Sequence, residues 1–303
     1  MNIFDVIIIG GGPIGIACGL EAQQKGLSYL ILEKGALVNS LYHYPENMTF
    51  FSSSDNLEID KIPFISNNIR PHKSEALEYY RRIVIAKDLN VNLFEQVIEV
   101  ESIEEKYKIN TTKRSYLTKH IIIATGFYDI PNLLHIPGED LPKVSHYYNS
   151  PHFYIRQNVA IIGASNSAVD AALEIYRKGG KVTMIVRDKE IGTRVKYWVR
   201  PDIINRIKEG SINALYHSRL EKILEDTIVV NKAGTTLTIK NDYVLALTGY
   251  QPNFSFLKKL GVQLADDATQ KPVYNEHTME TNRKGIYLAG VICGGLETHK
   301  WFI

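Results

Sequence analysis

Residues 5–15 read Asp5-Val6-Ile7-Ile8-Ile9-Gly10-Gly11-Gly12-Pro13-Ile14-Gly15, and the architecture of the chain turns on them. DVIII at 5–9 is a β-branched run suited to a parallel strand buried on both faces. The glycines that follow fall as G-x-G-x-x-G on Gly10, Gly12 and Gly15. A helix is predicted over 16–25, with Pro13 suited to its first turn and Gly26 to its end. A second strand is predicted over 27–32, with Glu33 at its tip. In such a corner Gly10 makes the tight turn, Gly12 lets backbone approach a pyrophosphate, and Gly15 lets helix and strand pack closely. The helix N-terminus offers unpaired N–H groups and partial positive charge to phosphate, and Glu33 can accept hydrogen bonds from a ribose. Strand, turn, helix, strand and acid all appear in order, which a chance Gly-rich turn does not supply.

The same arrangement recurs in a degenerate form. NVAII at 158–162 predicts a strand and Gly163-Ala164-Ser165-Asn166-Ser167-Ala168 a turn. A helix is predicted over 169–178, ended by Gly179 and Gly180, and KVTMIV at 181–186 predicts the next strand. Ser165 and Ala168 stand at the second and third glycine positions. The residue at the strand tip is Arg187, with Lys189, Arg194 and Lys196 close behind. An acid there would hold the ribose diol of NADH, whereas arginine meets the 2′-phosphate of NADPH with charge-assisted bonds. NADPH is therefore the expected ligand of this corner.

The remaining composition narrows the function classes. The chain has 303 residues, 45% of them hydrophobic, enough for about two domains with their own cores. No apolar run approaches the roughly 20 residues that span a bilayer, and the apolar stretch at 6–9 is too short for a secretory leader. A cytoplasmic protein with no membrane partner is expected. With 35 basic and 33 acidic residues, no bulk attraction to nucleic acid arises. Two cysteines, Cys18 and Cys293, form no CxxC, and the nine histidines are scattered, so no metal site is expected.

Between and after the corners lie further strand signals. Segments 97–103 and 107–111 look like a hairpin, HIIIA at 120–124 ends in Thr125-Gly126, YVLAL at 243–247 leads to Thr248-Gly249-Tyr250, and Gly285-Ile286-Tyr287-Leu288-Ala289-Gly290 is a last strand and turn. These pieces resemble the flavoproteins of thioredoxin reductase type. The resemblance implies an α/β fold of two Rossmann-like dinucleotide-binding domains, each three-layered with a parallel sheet and a β-meander, the NADPH domain inserted in the FAD domain. The implied division is 1–128 and 251–303 for FAD, 129–250 for NADPH. The FAD site would be formed by Gly10, Gly12, Pro13, Ile14, Gly15, Glu33, Lys34, Phe51, Ser52, Ala124, Thr125, Gly126, Gly290 and Val291. The NADPH site would be formed by Gly163, Ser165, Asn166, Ser167, Arg187, Arg194 and Lys196. Two departures stand out. Where that family has its CxxC, this chain has Ser145-His146-Tyr147-Tyr148-Asn149-Ser150, which excludes an internal dithiol relay there, and Val291 replaces an aspartate after Ala289-Gly290.

A nearer resemblance accounts for both departures. Tyr42-His43-Tyr44-Pro45, Met48-Thr49-Phe50-Phe51-Ser52-Ser53-Ser54, Pro63-Phe64, Leu141-Pro142-Lys143 and Ala289-Gly290-Val291 resemble the bacillithiol-disulfide reductase family of YpdA type over almost the whole chain. Its well-studied branch carries a cysteine in the first loop, where this chain has Ile14. An aliphatic side chain cannot attack a disulfide, since the nucleophile is a thiolate. Cys293 is the candidate substitute, acidified if a helix N-terminus lies near, with burial as a small hydrophobe the other reading. Cys18, one helical turn beyond Ile14, stands in the same position. His299 and Lys300 are candidates for the flavin's polar edge. The family continues through a C-terminal helix, so a shortened chain is expected at Ile303. The implied function is transfer of electrons from NADPH through FAD to a low-molecular-weight disulfide or a small redox carrier protein, by a homo-oligomer. A ferredoxin- or flavodoxin-NADP reductase, which needs no thiol, and a flavin- and NADPH-binding redox sensor are the alternatives.

Overall fold

A computed structural model describes residues 3–297; His299 and Lys300 lie outside them. The chain divides into two units, one taking in the chain up to Ile130 and again from Tyr250, the other Pro131–Gly249.

The first unit opens with β1 (Ile3–Ile9), α1 (Pro13–Gln24) and β2 (Tyr29–Leu32). The helix begins three residues before the start read from the sequence, because Gly12 caps it and Pro13, with φ already restricted, occupies its first turn. A one-turn α2 (Asn39–Tyr42) and a long irregular loop lead to α3 (Lys73–Ala86). That helix starts on a capping box in which the His72 side chain and Glu75 satisfy each other's backbone N–H groups. Then come β3 (Val91–Asn92), β4 (Val97–Ile103), β5 (Lys106–Thr111) and β6 (Ser115–Ile123). The sheet order is β3-β2-β1-β6-β5-β4. Strands β3, β2, β1 and β6 run parallel, while β4 and β5 form an antiparallel meander on β6.

After β7 (Ile130–Pro131) the second unit follows: β8 (Val144–Ser145), β9 (Asn158–Ile162), α4 (Asn166–Arg177), β10 (Lys181–Ile185), α5 (Arg200–Lys208) and β11 (Asn213–Leu215). Next come β12 (Ser218–Ile223), β13 (Thr227–Lys232), β14 (Thr235–Lys240) and β15 (Tyr243–Ala246). Five parallel strands take the order β11-β10-β9-β15-β8, and β12-β13-β14 form a separate antiparallel meander. The chain then returns to the first unit through β16 (Tyr250–Gln251), α6 (Phe254–Lys259) and β17 (Ile286–Leu288), which pairs in parallel with the end of β6.

Each sheet is covered on both faces, which is why its central strands are continuously apolar. In the first unit Val6, Ile8 and Ile31 meet Ile16 and Leu20 of α1 and Tyr80 and Ile83 of α3, while Ile7, Ile9 and Ile121 meet Tyr107, Ile109 and Leu257 on the other face. In the second, Val159 and Ile161 meet Val169, Leu173 and Ile203, while Ala160, Ile162 and Val244 meet Leu220, Ile228 and Val230 of the meander. Each fully buried isoleucine contributes about 1.5–3 kcal/mol by leaving water. Both units are thus three-layered α/β folds of Rossmann type. Among the described residues no helix is long and apolar enough to cross a membrane.

Candidate functional site

The ends of β1, β6 and β17 converge in the first unit. Gly10 N–H donates to Leu32 O at 2.9 Å, Ala124 N–H to Ile9 O at 2.8 Å, and Ala289 N–H to Ile123 O at 3.0 Å. Gly10 has φ +112°, and a Cβ there would lie 2.5 Å from Ala124 O. A Cβ on Gly15 would lie 1.8 Å from Gly10 O, so no larger residue fits this contact. A Cβ on Gly12 would meet nothing within 4 Å, so the turn is open on the side where a diphosphate would approach. No side chain caps α1, and its first turn carries no acid, so its N-terminus retains its charge for an anion.

Glu33 is 6% exposed at the tip of β2. Its Oε2 accepts from Gly11 N–H at 2.7 Å and its Oε1 from Gly35 N–H at 2.9 Å. Burial pushes its carboxyl above the ordinary glutamate range, although these two donors pull the other way. Each oxygen keeps a second lone pair for a ribose hydroxyl. Gly11, which the sequence reading passed over, is needed here: a Cβ would sit 2.8 Å from Glu33 Cβ. The Thr125 hydroxyl, beside Gly10, is buried without a hydrogen-bond partner among the described residues. An orphaned hydroxyl, an open glycine and an uncapped helix in one corner fit a dinucleotide. Lys34 pairs with Asp129 at 2.7 Å, half exposed. Phe51 and Ser52 lie in the loop between α2 and α3, which is tied by Phe50 N–H to Pro71 O and Ser54 N–H to Ile69 O. Phe51 is exposed.

Ile14 and Gly290 are brought together: a Cβ on Gly290 would lie 3.0 Å from Ile14 Cγ1, so the isoleucine packs on the bare glycine. Gly290 starts a short helical turn, Val291–Gly294, that buries Cys293 at 3% exposure among Leu288, Ile292 and Phe254. Of the two readings of Cys293, this placement favours burial as a small hydrophobe over acidification. Burial pushes its thiol up to about 11, and it does the same to Cys18. A thiol with that value is ionised in about one molecule in ten thousand at pH 7.

The second unit repeats the corner. Gly163 has φ +127°, and a Cβ there would lie 2.6 Å from Leu247 O. Helix α4 starts at Ser165 with no side-chain cap bond and no acid in its first turn. Ser165 and Ser167 are exposed, as are Arg187 and Arg194. Lys196, expected among the phosphate-binding cations, is corrected: it is 8% exposed and its ammonium pairs with Asp170 at 2.8 Å. A cation buried against a carboxylate holds structure rather than waiting for phosphate.

Residues 7–290 match the family model described as pyridine nucleotide-disulphide oxidoreductase. The chain is 44% identical over 299 residues to bacilliredoxin reductase Bdr of Bacillus subtilis, covering 98% of this chain and 92% of that protein. It superposes with TM-score 0.96 on bacillithiol disulfide reductase Bdr (YpdA) of Bacillus cereus, at 43% identity over 99% of this chain and 94% of that one. The Staphylococcus aureus Bdr structure gives TM-score 0.96, at 42% identity over 99% and 93%. The chain belongs to the pyridine nucleotide-disulphide oxidoreductase family, with the Bdr (YpdA) reductases as its near relatives.

Proposed function

We propose that this protein is an FAD-dependent NADPH oxidoreductase that reduces a disulfide formed on a low-molecular-weight thiol of bacillithiol type, or the same disulfide carried by a small redox protein. The carrying observation is the pair of corners. Each sets an uncapped helix N-terminus at the end of a parallel strand, but one is flanked by a buried acid, Glu33, and the other by an exposed base, Arg187. An acid suits the ribose of FAD and an arginine suits the 2′-phosphate of NADPH. The unit closed by 250–303 is the FAD domain in this reading and 131–249 the NADPH domain. The names of the relatives, one reducing a bacilliredoxin and others bacillithiol disulfide, support the acceptor class.

Bound FAD supplies the two-electron chemistry. The chain's own residues bind and orient: Gly10, Gly12 and Gly15 seat the diphosphate, Glu33 holds the ribose, and the Thr125 hydroxyl takes a ligand acceptor. Lys34 is positioned by Asp129 at the edge of that site, and Ile14 and Gly290 form an apolar, water-excluding wall. Burial holds both thiols, Cys18 and Cys293, in the protonated form at neutral pH, which disfavours a mixed disulfide on either. Two poorly ionised thiols also suit one-electron transfer to a ferredoxin or flavodoxin, which is the second reading. The deciding experiment reduces the yellow protein anaerobically with NADPH and offers each acceptor in turn. Rapid return of the flavin colour with bacillithiol disulfide, alone or through a bacilliredoxin, is expected. Return only with a ferredoxin or flavodoxin overturns the disulfide reading. A cytoplasmic homo-oligomer completes the proposal, its assembly read by light scattering.

A further inference from the structure

Asn166 is the first residue of α4, yet both ends of its side-chain amide bind a segment some thirty residues away. Its Oδ1 accepts from Lys196 N–H at 2.8 Å, and its Nδ2 donates to Arg194 O at 3.2 Å. One helical turn further on, Asp170 Oδ2 receives the Lys196 ammonium at 2.8 Å. From the opposite side Arg200, which opens α5, donates through Nη2 to Ile191 O at 3.1 Å and through Nε to Gly192 O at 3.3 Å. Residues 187–199 form neither helix nor strand, so these side-chain bonds, together with the buried Ile191 and Val195, hold the shape of the segment. The segment begins at Arg187 and carries Arg194, both exposed.

We propose that Asn166 is a positioning residue for nucleotide choice. It ties the corner that receives the diphosphate to the loop that carries the cations for the 2′-phosphate, and so fixes the distance between the two anion subsites. The proposal rests on the reading of this corner as the NADPH site and adds to it the device by which NADPH is told from NADH. The two nucleotides differ only in the 2′-phosphate. A latch that merely braces the fold affects both alike, whereas one that registers the cations affects NADPH alone.

The test uses holoenzyme with a fixed disulfide acceptor and compares steady-state kinetics with NADPH and with NADH. For Asn166→Ala, KM for NADPH rises about tenfold, at least about fivefold more than KM for NADH rises. Lys196→Met, which releases the loop from Asp170 and leaves Asn166 in place, gives the same split more weakly and serves if the alanine variant does not fold. Parallel rises in both KM values, or no change in either, overturn the latch while wild-type NADPH preference stands. A wild-type enzyme with equal KM for both nucleotides instead overturns the NADPH reading on which the latch depends.

Discussion

The two corners share one backbone plan and differ in how tightly they close. In both, a glycine of positive φ abuts a carbonyl of the neighbouring strand end, Gly10 against Ala124 O and Gly163 against Leu247 O. Five residues later they part. Gly15 lies where a Cβ would strike Gly10 O at 1.8 Å, whereas Ala168 carries a Cβ 3.4 Å from the place a Gly163 Cβ would occupy. The acid of the first corner is buried and bonded to its own glycine loop; the arginine of the second stands in water. A closed, buried contact set suits a group that stays bound through many turnovers, and an open, charge-based one suits a cosubstrate that must leave each time. On the proposed reading, the difference matches a resident flavin in the first corner and an exchanging nicotinamide donor in the second.

The largest expected effect lies at the third position of each motif. Gly15→Ala forces the corner apart, costs about 3 kcal/mol and yields colourless protein. Ala168→Gly costs about 1 kcal/mol through helix propensity and leaves the flavin bound. Thermal melts and the flavin spectrum of both variants check this, and equal effects at the two sites would erase the contrast. Arg187→Gln comes next, raising KM for NADPH about thirtyfold while leaving KM for NADH and flavin content alone.

A smaller effect concerns Glu33. Its folded-state pKa is raised above 4.5, so the folded apoprotein binds the proton that the unfolded chain releases. Stability of the apoprotein therefore falls as pH rises from about the ordinary glutamate value through the raised one. Glu33→Gln flattens that fall, and denaturant melts across the window measure it. Smallest is the pair Cys18→Ala and Cys293→Ala. Each loses about 1 kcal/mol of packing and keeps turnover within about twofold, because neither thiol ionises near neutrality. A large loss of turnover in either would restore a thiol mechanism.

The corners were legible because local sterics dictate them: tight turn, close approach and helix start all demand particular residues within a dozen positions. The hairpin β4-β5 was legible from two short strand-like segments that mix apolar and polar residues, and the strands β15 and β17 from their apolar runs. What escaped depends on contacts far apart in sequence. Nothing near Lys196 separates it from Arg187 as a free cation until α4 brings Asp170 to it. Nothing near Ile14 announces Gly290, and Gly11 is legible only once Glu33 folds back onto it. Cys293 looked like a thiol near a helix end, but the apolar residues that surround it come from α6 and β17 and raise its pKa instead.

The most direct test is a count of electrons per flavin. Purified protein saturated with FAD, titrated anaerobically with NADPH, should lose its yellow colour after about one equivalent per flavin, since no dithiol shares the electrons. Protein that takes up no FAD when offered excess, or that consumes two equivalents before the flavin is fully bleached, would refute it.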